Sequence, residues 1–218
     1  DAVVLDSGST VPSLQEGDAF SHILVTSHEC TETSRRSNRM GATIDVSTGS
    51  DSSDDLKNGG ALFAYRVPRG KGWKTKPWSR STVASGFQVQ HQLNNMIHPG
   101  APGFVYSFFP TREKKKPKQR PLLAVAGDCS ESAYLFRPTE YDGSSCTEDQ
   151  ESPRAVDPST QYKLMCEIQC KATVGSIAIG YEDFMHADQE NGYAKLYIPC
   201  YEKGKILVFA MGSGEDGT

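Results

Sequence analysis

The chain has 218 residues, 37% of them hydrophobic, and 27 acidic against 23 basic residues give it a formal net charge of −4. That mildly acidic balance offers no electrostatic basis for nucleic acid as a general partner, because such binding rests on a basic surface that neutralises phosphates. No apolar run approaches the roughly 20 residues that a bilayer-spanning helix needs, and the opening Asp1-Ala2-Val3-Val4-Leu5-Asp6 lacks the basic start of a secretory leader, which leaves a mature or excised piece of a secreted protein open.

The apolar residues come in short bursts of β-branched and aromatic side chains cut by Gly, Asn, Asp and Pro, the pattern of strands and turns. Ala2 to Leu5 is the first expected strand and Ser21 to Thr26 the second. Thr31 to Gly59 holds Ser, Thr, Asp and Arg and almost nothing apolar, so it reads as an exposed insertion. Gly60 to Val67 and Trp78 to Gly86 are the third and fourth strands. After a connector at 91–103 the pattern restarts: Phe104 to Phe109, Leu122 to Ala126, Ala133 to Phe136 and Tyr162 to Ile168. A lysine-rich hairpin tip at Thr111 to Arg120 and a second polar insertion at 139–161 interrupt it. A third round follows with Ser176 to Ile179, Leu196 to Ile198 and Ile206 to Phe209. No stretch carries a convincing helical period.

The rounds resemble one another. Ile23 to Cys30 (ILVTSHEC) lies over Leu122 to Cys129 (LLAVAGDC), Gly103 over Gly175 and Leu123 over Leu196. The expectation is an all-β chain of consecutive four-stranded antiparallel blades, about three in number, the last lacking its outer strand. The chain is then one unit, 1–218. Its first blade spans about 1–90 with the insertion 31–59, its second about 103–170 with the insertion 139–161, and its partial third about 173–211. Four-stranded meanders repeated at such a period are the signature of propeller blades.

Six cysteines, Cys30, Cys129, Cys146, Cys166, Cys170 and Cys200, form an even set in a β-rich chain, which favours an oxidising, extracellular compartment and disulfides. Six cysteines allow 15 pairings. The preferred one joins Cys146 to Cys166, because the segment after the third strand of the second blade can fold back on its fourth. Cys166 and Cys170, four apart, share one face of a strand, and no second close pair stands nearby to complete a zinc site.

An apolar strand after glycine, an Asp-bearing loop closing on Asn191-Gly192-Tyr193, and two further strands divided by Gly204 make up the last round, and Gly127-Asp128-Cys129-Ser130 runs into the matching strand of the second. This order resembles the FG-GAP/VCBS-type β-propeller repeat of secreted proteins. The resemblance implies a calcium loop between the first two strands of a blade. The matching positions Ala187, Gln189 and Asn191 supply no carboxylate, and the carboxylates fall out of register at Asp183, Asp188 and Glu190, the candidate ligands if calcium binds. No other cofactor is expected.

No nucleophile elbow or HExxH motif occurs. Asp128 and Asp183 each follow a strand end and are the candidates for paired carboxylates of glycoside chemistry, against the plainer reading of solvated loop acids. Lys114, Lys115, Lys116 and Lys118 are candidates for gripping a phosphate or sulfated glycan, and Trp73 and Trp78 for stacking on sugar rings; a solvated hairpin tip and core packing are the alternatives. The reading favoured on these residues is an extracellular, non-enzymatic structural or binding module that acts through blade surfaces. Its partners are other copies of itself, further blades or glycans, in an assembly or filament, with no nucleic acid and no membrane span. A secreted carbohydrate-active propeller enzyme of lyase or dehydratase type and a polyanion-binding module are the alternatives.

Overall fold

Nearly every apolar burst becomes a strand in the structure, a computed structural model that describes residues 2–6, 20–27, 59–68, 70–90, 100–111, 120–139, 161–181 and 192–212. Eleven strands occur among the described residues: β1 (Ala2–Asp6), β2 (Phe20–Ser27), β3 (Gly60–Arg66), β4 (Arg80–Phe87), β5 (Val105–Phe108), β6 (Leu122–Ala126), β7 (Ser132–Pro138), β8 (Tyr162–Gln169), β9 (Ala178–Gly180), β10 (Lys195–Cys200) and β11 (Lys205–Ala210). There is no α-helix among these residues, only two short 3-10 turns at Gly70–Lys74 and Tyr201–Lys203. The strands form three antiparallel sheets in plain meander order: β1-β2-β3-β4, β5-β6-β7-β8 and β9-β10-β11. Most of both polar insertions, including 35–55 and 142–157, lies outside the described residues.

Two expected strands start elsewhere. Trp78 precedes β4 rather than opening it, because its indole Nε1 donates to the Trp73 carbonyl at 3.0 Å and holds it against the Gly70–Lys74 turn. In the third sheet Ile177 is buried in the core ahead of the short β9 instead of pairing within it.

The three sheets stack in chain order. One core cluster joins Leu24, Leu62, Ala64, Val83 and Phe87 of the first sheet to Val105, Leu123, Val125, Tyr134, Phe136 and Tyr162 of the second. A second cluster joins the opposite face of the second sheet, through Phe108, Ala124, Ala126, Ala133, Leu135 and Ile168, to Leu196, Ile198 and Cys200 of the third. Every residue of β6 is therefore buried, as are the first five of β7. This explains why Leu122 to Ala126 is a continuous apolar run and not an alternating one: both faces of the strand meet apolar neighbours. Phe87 anchors the first interface, with its ring 5.2 Å from Tyr134 and 6.4 Å from Phe136 in edge-on geometry, an arrangement worth about 0.5–1.5 kcal/mol per pair beyond the area buried.

The sheets stack in the same sense. Gly60, at the start of β3, lies against Ala101 and Pro102 ahead of β5. In the next sheet Asp128, just ahead of β7, forms a bridge with Val174 ahead of β9. Equivalent corners thus meet the entry to the following sheet. The overlay of ILVTSHEC on LLAVAGDC puts Leu24 over Leu123, yet these two enter the first core from opposite sides. The first two sheets therefore share strand order but not side-chain register, since a slip of one residue exchanges the faces of a strand. Leu123 and Leu196 do match: each faces the preceding sheet.

Candidate functional site: the outer face of the third sheet

Each side chain in a strand faces opposite to its neighbour, so the third sheet has two faces of separate character. Leu196, Ile198 and Cys200 alternate inward and are buried against the second sheet. The residues between them face the other way. Tyr197 pairs with Val208 and with Ala178, and Pro199 pairs with Ile206. The Tyr197 ring packs across Gly180. This outer face is apolar and open: Ile206 is 63% exposed and Val208 56%.

The second sheet shows what such a face looks like when covered. Leu123 pairs with Phe136 there, as Leu196 pairs with Phe209 in the third sheet. That register sets Leu135 opposite Val208 and Ala133 opposite Ile206 in the comparison of the two sheets. Leu135 and Ala133 are buried beneath the third sheet. Val208 and Ile206 occupy the same positions with nothing among the described residues packed on them. Contiguous apolar surface of this kind marks an interaction site more often than a scattered exposed residue does.

The sheet that bears this face is held firmly from behind. Tyr201 N donates to Thr173 O at 3.2 Å, and Ala194 N to Pro110 O at 2.8 Å. Thr173 N donates to Glu202 Oε2 at 2.7 Å, and the Thr173 hydroxyl donates to Glu202 Oε1. Lys203 Nζ donates to Cys170 O at 2.8 Å. The Tyr181 hydroxyl donates to Phe109 O at 2.9 Å. A face mounted this way is presented as a rigid surface.

Of the residues singled out for chemistry, Asp128, Trp73 and Trp78 fall among the described ones. Asp128 sits in the β6–β7 turn with a left-handed backbone (φ 51°). Its N–H donates to Val174 O at 2.8 Å, and Val174 N donates back to Asp128 O at 3.2 Å. The turn closes through Gly127 N to Ser132 O at 2.9 Å, and any side chain at Gly127 would collide with the Ser132 carbonyl. Asp128 Oδ1 accepts from the Cys129 thiol at 3.8 Å. Asp128 therefore ties the second sheet to the third. Its proposed companion Asp183 lies outside the described residues, as do Asp188, Glu190, Lys114, Lys115, Lys116 and Lys118.

Trp73 and Trp78 are brought together by the bond noted above, with Trp73 52% exposed and Lys74 Nζ 5.0 Å from its ring centroid. They stand in the β3–β4 connection, at the end of the first sheet opposite the β2–β3 end that meets Ala101. Among the described residues no group of three or more His, Cys, Asp or Glu is placed to hold a metal ion.

Cys129, Cys166, Cys170 and Cys200 carry thiols in this structure, and Cys30 and Cys146 lie outside the described residues, so the pair Cys146–Cys166 has one member there. Cys166 and Cys170 do share a face. A bulge opposite Leu135 and Phe136 turns β8 so that Cys166, Ile168 and Cys170 all face the third sheet. Sequence reasoning missed the Thr173–Glu202 clamp; an open apolar face on the last blade follows from its want of a successor, but which residues of the run Ile206-Leu207-Val208-Phe209 line it does not, because the run reads alike whether buried or bare.

No helix among the described residues is long and apolar enough to cross a membrane. No protein-family model, curated protein or solved structure matches the chain.

Proposed function

We propose that the chain is a non-enzymatic structural or binding module that works outside the cell, as a run of propeller-type blades completed face to face by further sheets. The observation that carries this reading is the outer face of the third sheet. Ile206 and Val208 are bare where Ala133 and Leu135, their counterparts one sheet earlier, are buried. The sheets already stack in one sense with repeated corner contacts, so the next sheet in the series has a defined seat. Burying Ile206 and Val208 there contributes about 1.5–3 kcal/mol each, before the cost of association. The resemblance to FG-GAP/VCBS-type repeats fits the same picture.

The test is the native mass of the full natural polypeptide by light scattering across micromolar concentrations, with Ile206→Asp/Val208→Asp beside it. Assembly above the 23.8 kDa of one chain, lost in the double variant, is the expected result. A wild-type monomer of this mass with no additional polypeptide attached would sink the proposal.

Glycan binding is the second reading. It rests on Trp73, half exposed beside Lys74, which offers a flat ring and a cation together. It is tested by binding to a sulfated polysaccharide, which Trp73→Ala should weaken; binding unchanged in that variant refutes it.

A further inference from the structure

The third sheet has an open edge as well as an open face. β10 lies between β9 and β11, and among the described residues β11 has no strand on its other side. The register fixes which main-chain groups point there. Met211 N donates to Ala194 O, and β10 and β11 pair without a slip from Lys195 and Ala210 to Cys200 and Lys205. Hydrogen-bonded and non-bonded residue pairs alternate along an antiparallel ladder. Lys205, Leu207 and Phe209 therefore turn their N–H and C=O groups to β10, and Ile206, Val208 and Ala210 turn theirs to the free edge. Pro199, which has no N–H, pairs with Ile206 at a position where none is needed toward β11.

A strand fills the corresponding place in the other two sheets, β4 beside β3 and β8 beside β7. The inner side of the third sheet is left open with its edge. Phe136 pairs with Leu123 on one side and Leu164 of β8 on the other, and it is fully buried. Phe209 pairs with Leu196 in the same way, and it is 44% exposed. β8 runs one strand beyond β7, the counterpart of β11, so it floors the gap; its Cys166 faces the third sheet and is exposed. That floor admits a single strand. A second copy joined β11 to β11 is related by a two-fold axis normal to the sheet, which places its own second sheet on the same side and drives it into β8.

The geometry points to the free edge of β11 as the docking site for one extended segment of another protein, added as a fourth strand. The backbone of that segment exchanges hydrogen bonds with Ile206, Val208 and Ala210, and apolar residues at alternate positions fill the gap beside Phe209. Lys205, exposed at the start of β11, favours an acidic residue at that end. The inference does not depend on what covers the side chains of Ile206 and Val208, because edge and face engage different groups.

The test uses the whole chain and a fluorescent peptide of residues 161–169 (QYKLMCEIQ) carrying Cys166→Ser, because β8 fills the equivalent place beside β7. Fluorescence anisotropy should show saturable binding. N-methylation of alternate peptide amides should abolish binding in one phase of the alternation and spare it in the other, since one edge of the peptide meets β11. Ala210→Pro removes one outward N–H and leaves the β10 ladder and the outer-face side chains in place; it should weaken binding roughly tenfold. Phe209→Ala should weaken it as well. No binding by the peptide, equal loss in both methylation phases, or binding unchanged in Ala210→Pro and Phe209→Ala overturns the inference. Self-association of the chain that Ala210→Pro abolishes, with no peptide bound, overturns it in favour of a second copy.

Discussion

Strands β7 and β11 hold the same place in successive sheets and are built from much the same residues, Ala133-Tyr134-Leu135-Phe136 against Ile206-Leu207-Val208-Phe209. The first five residues of β7 are all buried, whereas none of β11 is. Local sequence does not separate them, since both are rich in residues that suit a pleated surface. What separates them is their neighbours: β7 has a sheet on each face and β8 along its outer edge, whereas β11 has a sheet only on the side of Leu207 and, among the described residues, no fourth strand beside it. Burial in this fold belongs to the stack, and a strand's own pattern states what it can bury without stating what it does bury.

The comparison is broken first by the largest deletions. Phe136→Ala removes a fully buried ring that packs edge-on with Phe87 and is expected to cost about 3–5 kcal/mol. Leu135→Ala is expected to cost about 2–5 kcal/mol. Val208→Ala, at the position equivalent to Leu135, should cost under about 1 kcal/mol in dilute protein, in line with exposed sites. Urea denaturation monitored by intrinsic fluorescence measures all three. Equal costs at 135 and 208 in dilute solution would mean that Val208 is already covered within a single chain.

Sequence patterning made the strands legible because each is short, apolar and bounded by turn residues; β6 runs from Leu122 to Ala126 as expected. The meander order of four, four and three strands was legible for the same reason. Side-chain facing in the first sheet was not. The matching cysteines at 30 and 129 suggest an overlay that sets Leu24 on Leu123, and a one-residue shift leaves the apolar pattern almost unchanged while exchanging faces. Contacts far apart in sequence were hidden as well. Nothing in Glu202 announces that it caps Thr173. The backbone bridge from Asp128 to Val174 was hidden for the same reason, since its partner lies nearly fifty residues on.

Alkaline pH probes the covered interfaces. Burial pushes the Tyr134 phenol from 10.0 up to about 12, with its hydrogen bond to Ser130 opposing the shift. In reduced protein, burial and Cys200 push the Cys170 thiol from 9.0 up to about 12. Both folded values lie above the unfolded ones, so folding favours the protonated forms. The stabilisation is fully present below pH 9 and is lost as pH rises toward 12. For Tyr134 the loss is on the order of 2–3 kcal/mol. Denaturation midpoints measured from pH 8 to 11.5 should fall, and Tyr134→Phe should flatten the fall above pH 10. A midpoint that holds steady to pH 11.5 in reduced protein would show that neither group is shielded from water.

The finest test keeps shape and changes polarity. Threonine matches valine in volume and β-branching, so a Val→Thr exchange leaves strand preference nearly intact and adds one hydroxyl. At Val125, fully buried between the first two sheets, that hydroxyl is taken from water into an apolar core, at a cost of about 1–3 kcal/mol where no partner receives it. At Val208 the added hydroxyl stays hydrated in dilute protein, and the expected change is within about 0.5 kcal/mol. The small number is the informative one, because its dependence on concentration reads the occupancy of the outer face. If a further sheet seats there, Val208→Thr buries the hydroxyl on association, and its cost should grow toward that at Val125 as protein concentration rises. Thermal unfolding of wild type and Val208→Thr from sub-micromolar to hundreds of micromolar follows that growth, and a difference that stays flat across the range would mean that the face remains open to water.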